Sequence, residues 1–234
     1  MKILAFDTAL GAVSVAVRWQ GADGEWLLCQ AHEVRAKGNA ERLMPMMREV
    51  MGEAGLAVSD IDRIAVTIGP GNFTGVRVGV AAARGLALAS GAATLGASSL
   101  AVMAYQADAR LAALRRDRLL AVAVDARRNS VYLQLFSPGW HAAGPPQLLA
   151  APAAARQIGA KPVIIAGSGA ELIVRALTAA GGQGEAAFPD LLPEARSLAL
   201  MAPDLAPTQP LRPLYLRAPD ARPQAGTSLP RIGP

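Results

Sequence analysis

The chain has 234 residues, a formal net charge of +5 and a single cysteine, Cys29, which excludes an internal disulfide. No run of eighteen apolar residues lacks a glycine or a charge, so the sequence predicts a cytosolic protein without a membrane span. Aromatic residues make up only 4% of the chain, and we therefore expect a core of aliphatic side chains and close backbone contacts.

The first predicted elements form a β-hairpin with a carboxylate at its turn. An apolar run from Ile3 to Phe6 ends at Asp7, and a strand pattern resumes from Val13 to Val17. A third strand is predicted around residues 25–31, after a glycine-rich turn.

A methionine-rich helix is predicted next, over residues 39–54. Leu43, Met47 and Val50 form an apolar stripe along it, with Asn39 as a reasonable cap. Pro45 removes one helix hydrogen bond, which predicts a late start or a kink. Two interpretations remain open: a core helix, or a partner-facing helix, because the methionines occupy more than one face.

The most informative stretch covers residues 64–89. A β-branched strand stops at Gly69, and a helix follows with Thr74 as its predicted N-cap. Small residues recur every four positions on this helix, which lets another backbone come close. The free N–H groups at its start could also hold an anion. The small residues are Gly75, Gly79, Ala83 and Ala87.

The second half of the chain repeats the pattern of the first. A predicted helix over residues 98–114 leads to an apolar strand that runs into Asp125, and an alternating strand starts at Val131. Two units that each begin with a strand, an aspartate and a hairpin are typical of the actin-like ATPase fold. We expect an N-terminal lobe over residues 1–105, a C-terminal lobe over 106–217 and a proline-rich, disordered tail over 218–234.

Three segments carry a resemblance to a known family. The segment GPGNFTGVRVG closely resembles the GPGSFTGLRIG signature of the TsaB (YeaZ) family, part of the bacterial machinery that makes threonylcarbamoyladenosine in tRNA. The opening ILAFDTALGAVSVAV and the segment PLYLR, which ends at Arg217, also match. The resemblance implies an α/β, actin-like (ASKHA, ribonuclease H-like) fold with two related lobes. The residues of the signature turn are Gly69, Pro70, Gly71, Asn72, Phe73, Thr74 and Gly75.

The positions that hold a nucleotide in actin-like ATPases look vestigial in this sequence. Asp7 and Asp125 head the two hairpins, and Gly167 and Gly169 form the later glycine turn. However, the loop after Asp7 has no side chain to grip a phosphate. The two histidines, His32 and His141, are far apart and form no metal-binding motif, so we expect neither catalytic residues nor a metal.

The family resemblance implies a role as a non-catalytic subunit. Such a subunit binds the catalytic protein TsaD, is joined by the ATPase TsaE, and supports threonylcarbamoyl transfer to adenosine 37 of tRNAs that read ANN codons. It requires no cofactor of its own, although ATP or ADP can lie at the complex interface. The predicted partner interface is the helical seam lined by Leu43, Met47, Val50, Val76, Gly79, Val80 and Ala83.

Two alternatives remain open from the sequence. One is a stand-alone actin-like small-molecule kinase or ATPase, which would bind magnesium and ATP between Asp7, Asp125 and the Gly167–Gly169 turn. The other is a homodimer that uses the same helices when the partner is absent.

Overall fold

A computed structural model describes residues 1–35, 37–115 and 118–217, which form two mixed α/β lobes. The expected tail, residues 218–234, lies outside the described residues. Within these ranges, no helix is both long enough and apolar enough to pass through a lipid bilayer.

The first lobe is built on a five-stranded sheet with the order β3-β2-β1-β4-β5. The first three strands form an antiparallel meander, while β4 and β5 run parallel to β1. The elements of this half are β1 (Lys2–Asp7), β2 (Ala12–Gln20), β3 (Trp26–Val34), α1 (Asn39–Glu53), β4 (Arg63–Thr67), α2 (Phe73–Ser90), β5 (Ala93–Ala97) and α3 (Ser99–Arg115).

The second lobe repeats this plan with the sheet order β11-β10-β6-β7-β8, and β9 also pairs with β7. Its elements are β6 (Leu119–Asp125), β7 (Ser130–Ser137), β8 (His141–Ala142), β9 (Gln147–Ala150), α4 (Ala151–Ile158), β10 (Val163–Ala166), α5 (Ala170–Ala179), β11 (Gly184–Ala187) and α6 (Ala195–Met201). Strands β6, β7, β10 and β11 take the places of β1, β2, β4 and β5. This repeat confirms the predicted actin-like architecture of two related lobes.

The last helix of each lobe packs on the sheet of the other lobe. Helices α1 and α2 cover one face of the first sheet, where alternate residues such as Leu4 and Phe6 point. The intervening residues, Ile3 and Ala5, point to the opposite face and pack against α6. Helix α3 in turn packs on β6, β7 and β10 of the second sheet, and it runs without a break through residue 105.

The methionine-rich helix α1 is mainly a core helix. It runs from Asn39 to Glu53 with Pro45 inside it, and the residue at its N-cap is Gly38. Asn39 is therefore not the cap. Its amide instead donates to the carbonyl groups of Leu10 (3.2 Å) and Ala12 (3.0 Å), which ties the helix to the β1–β2 hairpin.

Candidate functional site

The signature turn connects β4 to α2 and supplies the cap of that helix. The Gly69–Pro70 peptide bond is cis, and Gly69 has a φ of 105°. The N-cap is Asn72, whose side-chain oxygen accepts hydrogen bonds from the N–H groups of Thr74 (3.0 Å) and Gly75 (3.2 Å). The prediction of Thr74 as the cap is wrong. The side chain of Asn72 therefore occupies two of the N–H groups at which the sequence allowed an anion to bind.

The cap can be tested by two substitutions at one position. Asn72→Ala is expected to lower the free energy of unfolding by about 1 kcal/mol, because two N–H groups lose their acceptor. Asn72→Ser should retain most of the stability, since serine caps helices about as well as asparagine. Urea denaturation of the three proteins measures both differences. Equal losses in the two variants would contradict the capping role.

The glycines of the signature turn are required by close packing against the first hairpin. The N–H of Asn72 donates to the carbonyl of Ala9 (2.6 Å), and the hydroxyl of Thr8 donates to the carbonyl of Gly75 (2.7 Å). A Cβ atom at Gly75 would overlap the carbonyl oxygen of Thr8, and one at Gly71 would overlap that of Ala9. The signature turn and the turn of the first hairpin are therefore in direct backbone contact, and this contact is called the joint below.

The C-terminal segment PLYLR docks on the same joint. The N–H of Leu214 donates to the carbonyl of Ile68 (2.7 Å), and the rings of Tyr215 and Phe73 lie 5.2 Å apart. The guanidinium of Arg77 lies 3.7 Å from the centre of the Phe73 ring and donates to the Tyr215 hydroxyl (2.7 Å). All three segments that carry the family resemblance thus meet at the start of α2.

Asp7 is enclosed by this joint and does not face solvent. One carboxyl oxygen accepts from the Thr67 hydroxyl and from the Ala9 N–H, while the other has no hydrogen-bond partner among the described residues. Burial raises the pKa of Asp7 from 3.8 to about 7, against the opposing effect of the two hydrogen bonds. Because Mg²⁺ in proteins usually keeps several of its water ligands, a carboxyl that is fully buried does not fit the magnesium-binding role that the kinase alternative assigns to Asp7.

The structure does not bring the four vestigial residues together in one cavity. Asp125 is exposed and lines the cleft between the lobes, whereas Asp7 is buried. A Cβ atom at Gly167 would lie 2.5 Å from the carbonyl oxygen of Ala123, and one at Gly169 would lie 3.2 Å from it. Packing against β6 therefore accounts for both glycines.

The cleft between the lobes is a cavity of about 660 Å³ with several basic side chains in its wall. The sequence analysis did not group these residues into one site, because they belong to segments that are distant along the chain. They come from the segment after β3, from the β6–β7 turn and from the end of PLYLR. They are Arg35, Lys37, Arg127 and Arg217.

The residues predicted to line a partner seam lie in the core of the first lobe. Leu43, Met47, Val50, Val76, Val80 and Ala83 all pack against the sheet and are buried. Gly79 also faces inward, since a Cβ atom there would lie 2.9 Å from the Thr8 hydroxyl oxygen. This corrects the prediction: the stripe is apolar because α1 and α2 pack on their own sheet, and it is not available to a partner.

No group of three or more histidine, cysteine, aspartate or glutamate side chains within residues 1–35, 37–115 and 118–217 is arranged to hold a metal ion. Each of the two histidines therefore lies outside any such cluster in this part of the chain.

Comparisons with known proteins give a consistent result. A family model described as TsaD, tRNA N6-adenosine threonylcarbamoyltransferase, matches residues 33–139. The chain is 39% identical over 133 residues to the tRNA threonylcarbamoyladenosine biosynthesis protein TsaB of Escherichia coli, a match that covers 56% of this chain and 53% of that protein. The TsaB of Haemophilus influenzae is 34% identical over 132 residues, with 56% and 52% covered. The chain thus spans about half the length of these relatives.

A solved structure of YeaZ from Pseudomonas aeruginosa resembles the chain over nearly its whole length. It is 30% identical, covers 92% of this chain and 99% of its own, and has a TM-score of 0.70. A second structure, described as an uncharacterized protein with similarity to peptidase YEAZ from Pseudomonas aeruginosa, is 31% identical with a TM-score of 0.75 and the same coverage.

Proposed function

The chain belongs to the TsaB/YeaZ family, and from this premise we propose that it is the non-catalytic subunit that binds and supports TsaD in threonylcarbamoyl transfer to adenosine 37 of tRNAs that read ANN codons. The observation that carries the proposal is the 30% identity to YeaZ across 99% of that chain. TsaE joins the complex, tRNA is engaged through the complex in the cytoplasm, and ATP or ADP binds at the complex interface rather than at Asp7.

The proposed TsaD surface is the outward face of α1 and α2. The two helices lie side by side on the first sheet, and their inward faces are used by the core. Three large apolar side chains remain on the outside: Leu88 is 90% exposed, Met44 is 47% exposed, and Phe73, 38% exposed, contacts Tyr215 and Arg77 at the start of α2. Ala81 and Gly85 lie on the same side of α2 as Leu88 and are exposed, so a partner helix can approach closely there.

Leu88→Arg is expected to weaken association with TsaD at least about tenfold, because it places a charge in the proposed contact. The side chain of Leu88 is almost fully exposed and contributes little packing to the core, so the variant should remain folded. The measurement is gel filtration with light scattering on the chain mixed with TsaD from the same organism. Wild type should give a one-to-one complex at micromolar concentration.

The matched control is Val34→Arg, which introduces the same charge at a side chain that is 73% exposed and lies near Arg110 and Glu194, on the face of the first sheet opposite α1. It should leave the complex intact. A wild-type chain that does not bind TsaD would contradict the proposed function. If both variants, or neither, lost binding, the assignment of this face would be wrong. If the chain alone forms a homodimer through the same face, the wild-type chain should self-associate in the absence of TsaD. Leu88→Arg should then weaken that self-association as well.

A further inference from the structure

The cleft between the lobes combines basic side chains from both halves of the chain. Lys37 precedes α1, Arg217 ends the PLYLR segment, and Arg127 lies in the β6–β7 turn of the second lobe. The docking of Tyr215 against Phe73 and Arg77 brings the end of PLYLR, and with it Arg217, to the cleft.

The charges around this cavity are not balanced by the carboxylates beside it. Within the described residues, Lys37, Arg127 and Arg217 form no ion pair, whereas Arg35 pairs with Glu33 at 3.0 Å. The wall contains two carboxylates, Asp125 and Glu41. One oxygen of Asp125 already accepts a hydrogen bond from the Arg127 backbone N–H (2.7 Å). A concave surface with an excess of cations concentrates anions from solution.

We propose that this cleft binds a phosphorylated small molecule through Lys37, Arg127 and Arg217. Guanidinium and ammonium groups are the side chains that best complement phosphate oxygens. The volume of about 660 Å³ lies within the usual range of small-molecule sites, roughly 300–1,000 Å³. Leu10, Val124 and Tyr132 supply an apolar wall for an organic part of the ligand.

This site differs from the nucleotide arrangement considered for an actin-like kinase. It uses cationic side chains and requires neither Asp7 nor the Gly167–Gly169 turn. Because the cations come from both lobes, a small molecule seated between the lobes would contact both, whereas a long polymer that lies across one face would not. The cleft wall includes the first turns of α1 and α2, through residues such as Ala40 and Thr74, whereas Leu88 of the face proposed for TsaD lies near the other end of α2.

The test is a calorimetric titration of the chain alone with inorganic pyrophosphate, in the presence of a chelator and at low salt. Wild type should bind with a dissociation constant at or below about 1 mM, and added sodium chloride should weaken the binding. The triple variant Lys37→Gln, Arg127→Gln, Arg217→Gln should bind at least about tenfold more weakly. The single variant Arg217→Gln should show an intermediate loss.

The matched control is the triple variant Lys161→Gln, Arg156→Gln, Arg196→Gln, which removes the same charges from exposed positions that do not line the cleft. It should bind pyrophosphate like wild type, and the thermal midpoints of all variants should confirm that they are folded. Absence of wild-type binding, or equal losses in the two triple variants, would overturn the proposal. Cleft-dependent binding of an RNA oligonucleotide without binding of pyrophosphate would also overturn it. TsaD is absent from this titration, so its outcome is independent of the proposed function.

Discussion

Replacing Gly75 with alanine is expected to lower the free energy of unfolding by at least about 4 kcal/mol. The new Cβ atom would overlap the backbone carbonyl oxygen of Thr8, which cannot move aside as the end of a flexible side chain can. The two backbones are held together by the hydrogen bonds between Thr8 and Gly75 and between Asn72 and Ala9. Either the joint opens or the hairpin shifts. Each change lowers the free energy of unfolding, which a urea denaturation curve measures.

Gly85→Ala is the matched control on the same helix. A Cβ atom at Gly85 meets no other atom within 4 Å, so the substitution should stabilise the chain by about 0.5–1 kcal/mol through helix propensity alone. Similar effects of the two alanines would contradict the close packing at Gly75. For the same reason, Gly79→Arg is expected to unfold the first lobe rather than to remove a partner contact, since Gly79 faces Thr8 and Val66.

The stability of the chain is expected to fall as the pH rises from about 4 to about 7 because of Asp7. The pKa of Asp7 is about 7 in the folded chain and 3.8 is its ordinary value. Between these values the folded state keeps a proton that the unfolded state has released, so the free energy of unfolding decreases with pH. The total decrease from this group is at most about 4 kcal/mol.

Asp7→Asn should remove this contribution, because the amide cannot ionise and its oxygen can still accept from Thr67. The measurement is the difference in unfolding free energy between variant and wild type at several pH values, in which the contributions of other groups cancel. The difference should favour the variant increasingly between pH 4 and 7 and then level off. Two parallel curves would contradict the raised pKa.

Thr67→Val provides an independent check on the same carboxyl. The Thr67 hydroxyl lowers the pKa of Asp7, so its removal should raise that pKa further and move the upper end of the falling region above pH 7. A wild-type pH profile in this variant would show that Thr67 does not act on the ionisation of Asp7.

The local elements were largely predictable because their signals are short-range. The apolar run that ends at Asp125, the polar turn after it and the alternating strand from Val131 predicted a hairpin, which β6 and β7 form. Strands β5 and β11 were missed. Their sequences, ATLGA and GEAA, have little β propensity, and they are strands because they pair with β4 and β10.

The sequence by itself determined the two-lobed repeat, the family signature and the aspartate at the head of each hairpin, because each of these is encoded in contiguous residues. Only the tertiary structure decided which apolar residues of α1 and α2 are buried in the core and which are exposed to a partner. A stripe such as Leu43 and Met47 has the same periodicity whether it packs on its own sheet or on a partner. The structure alone also showed that Asp7 is buried and Asp125 exposed. It likewise brought Lys37, Arg127 and Arg217 to one cleft, because contacts between distant segments depend on how the two lobes pack.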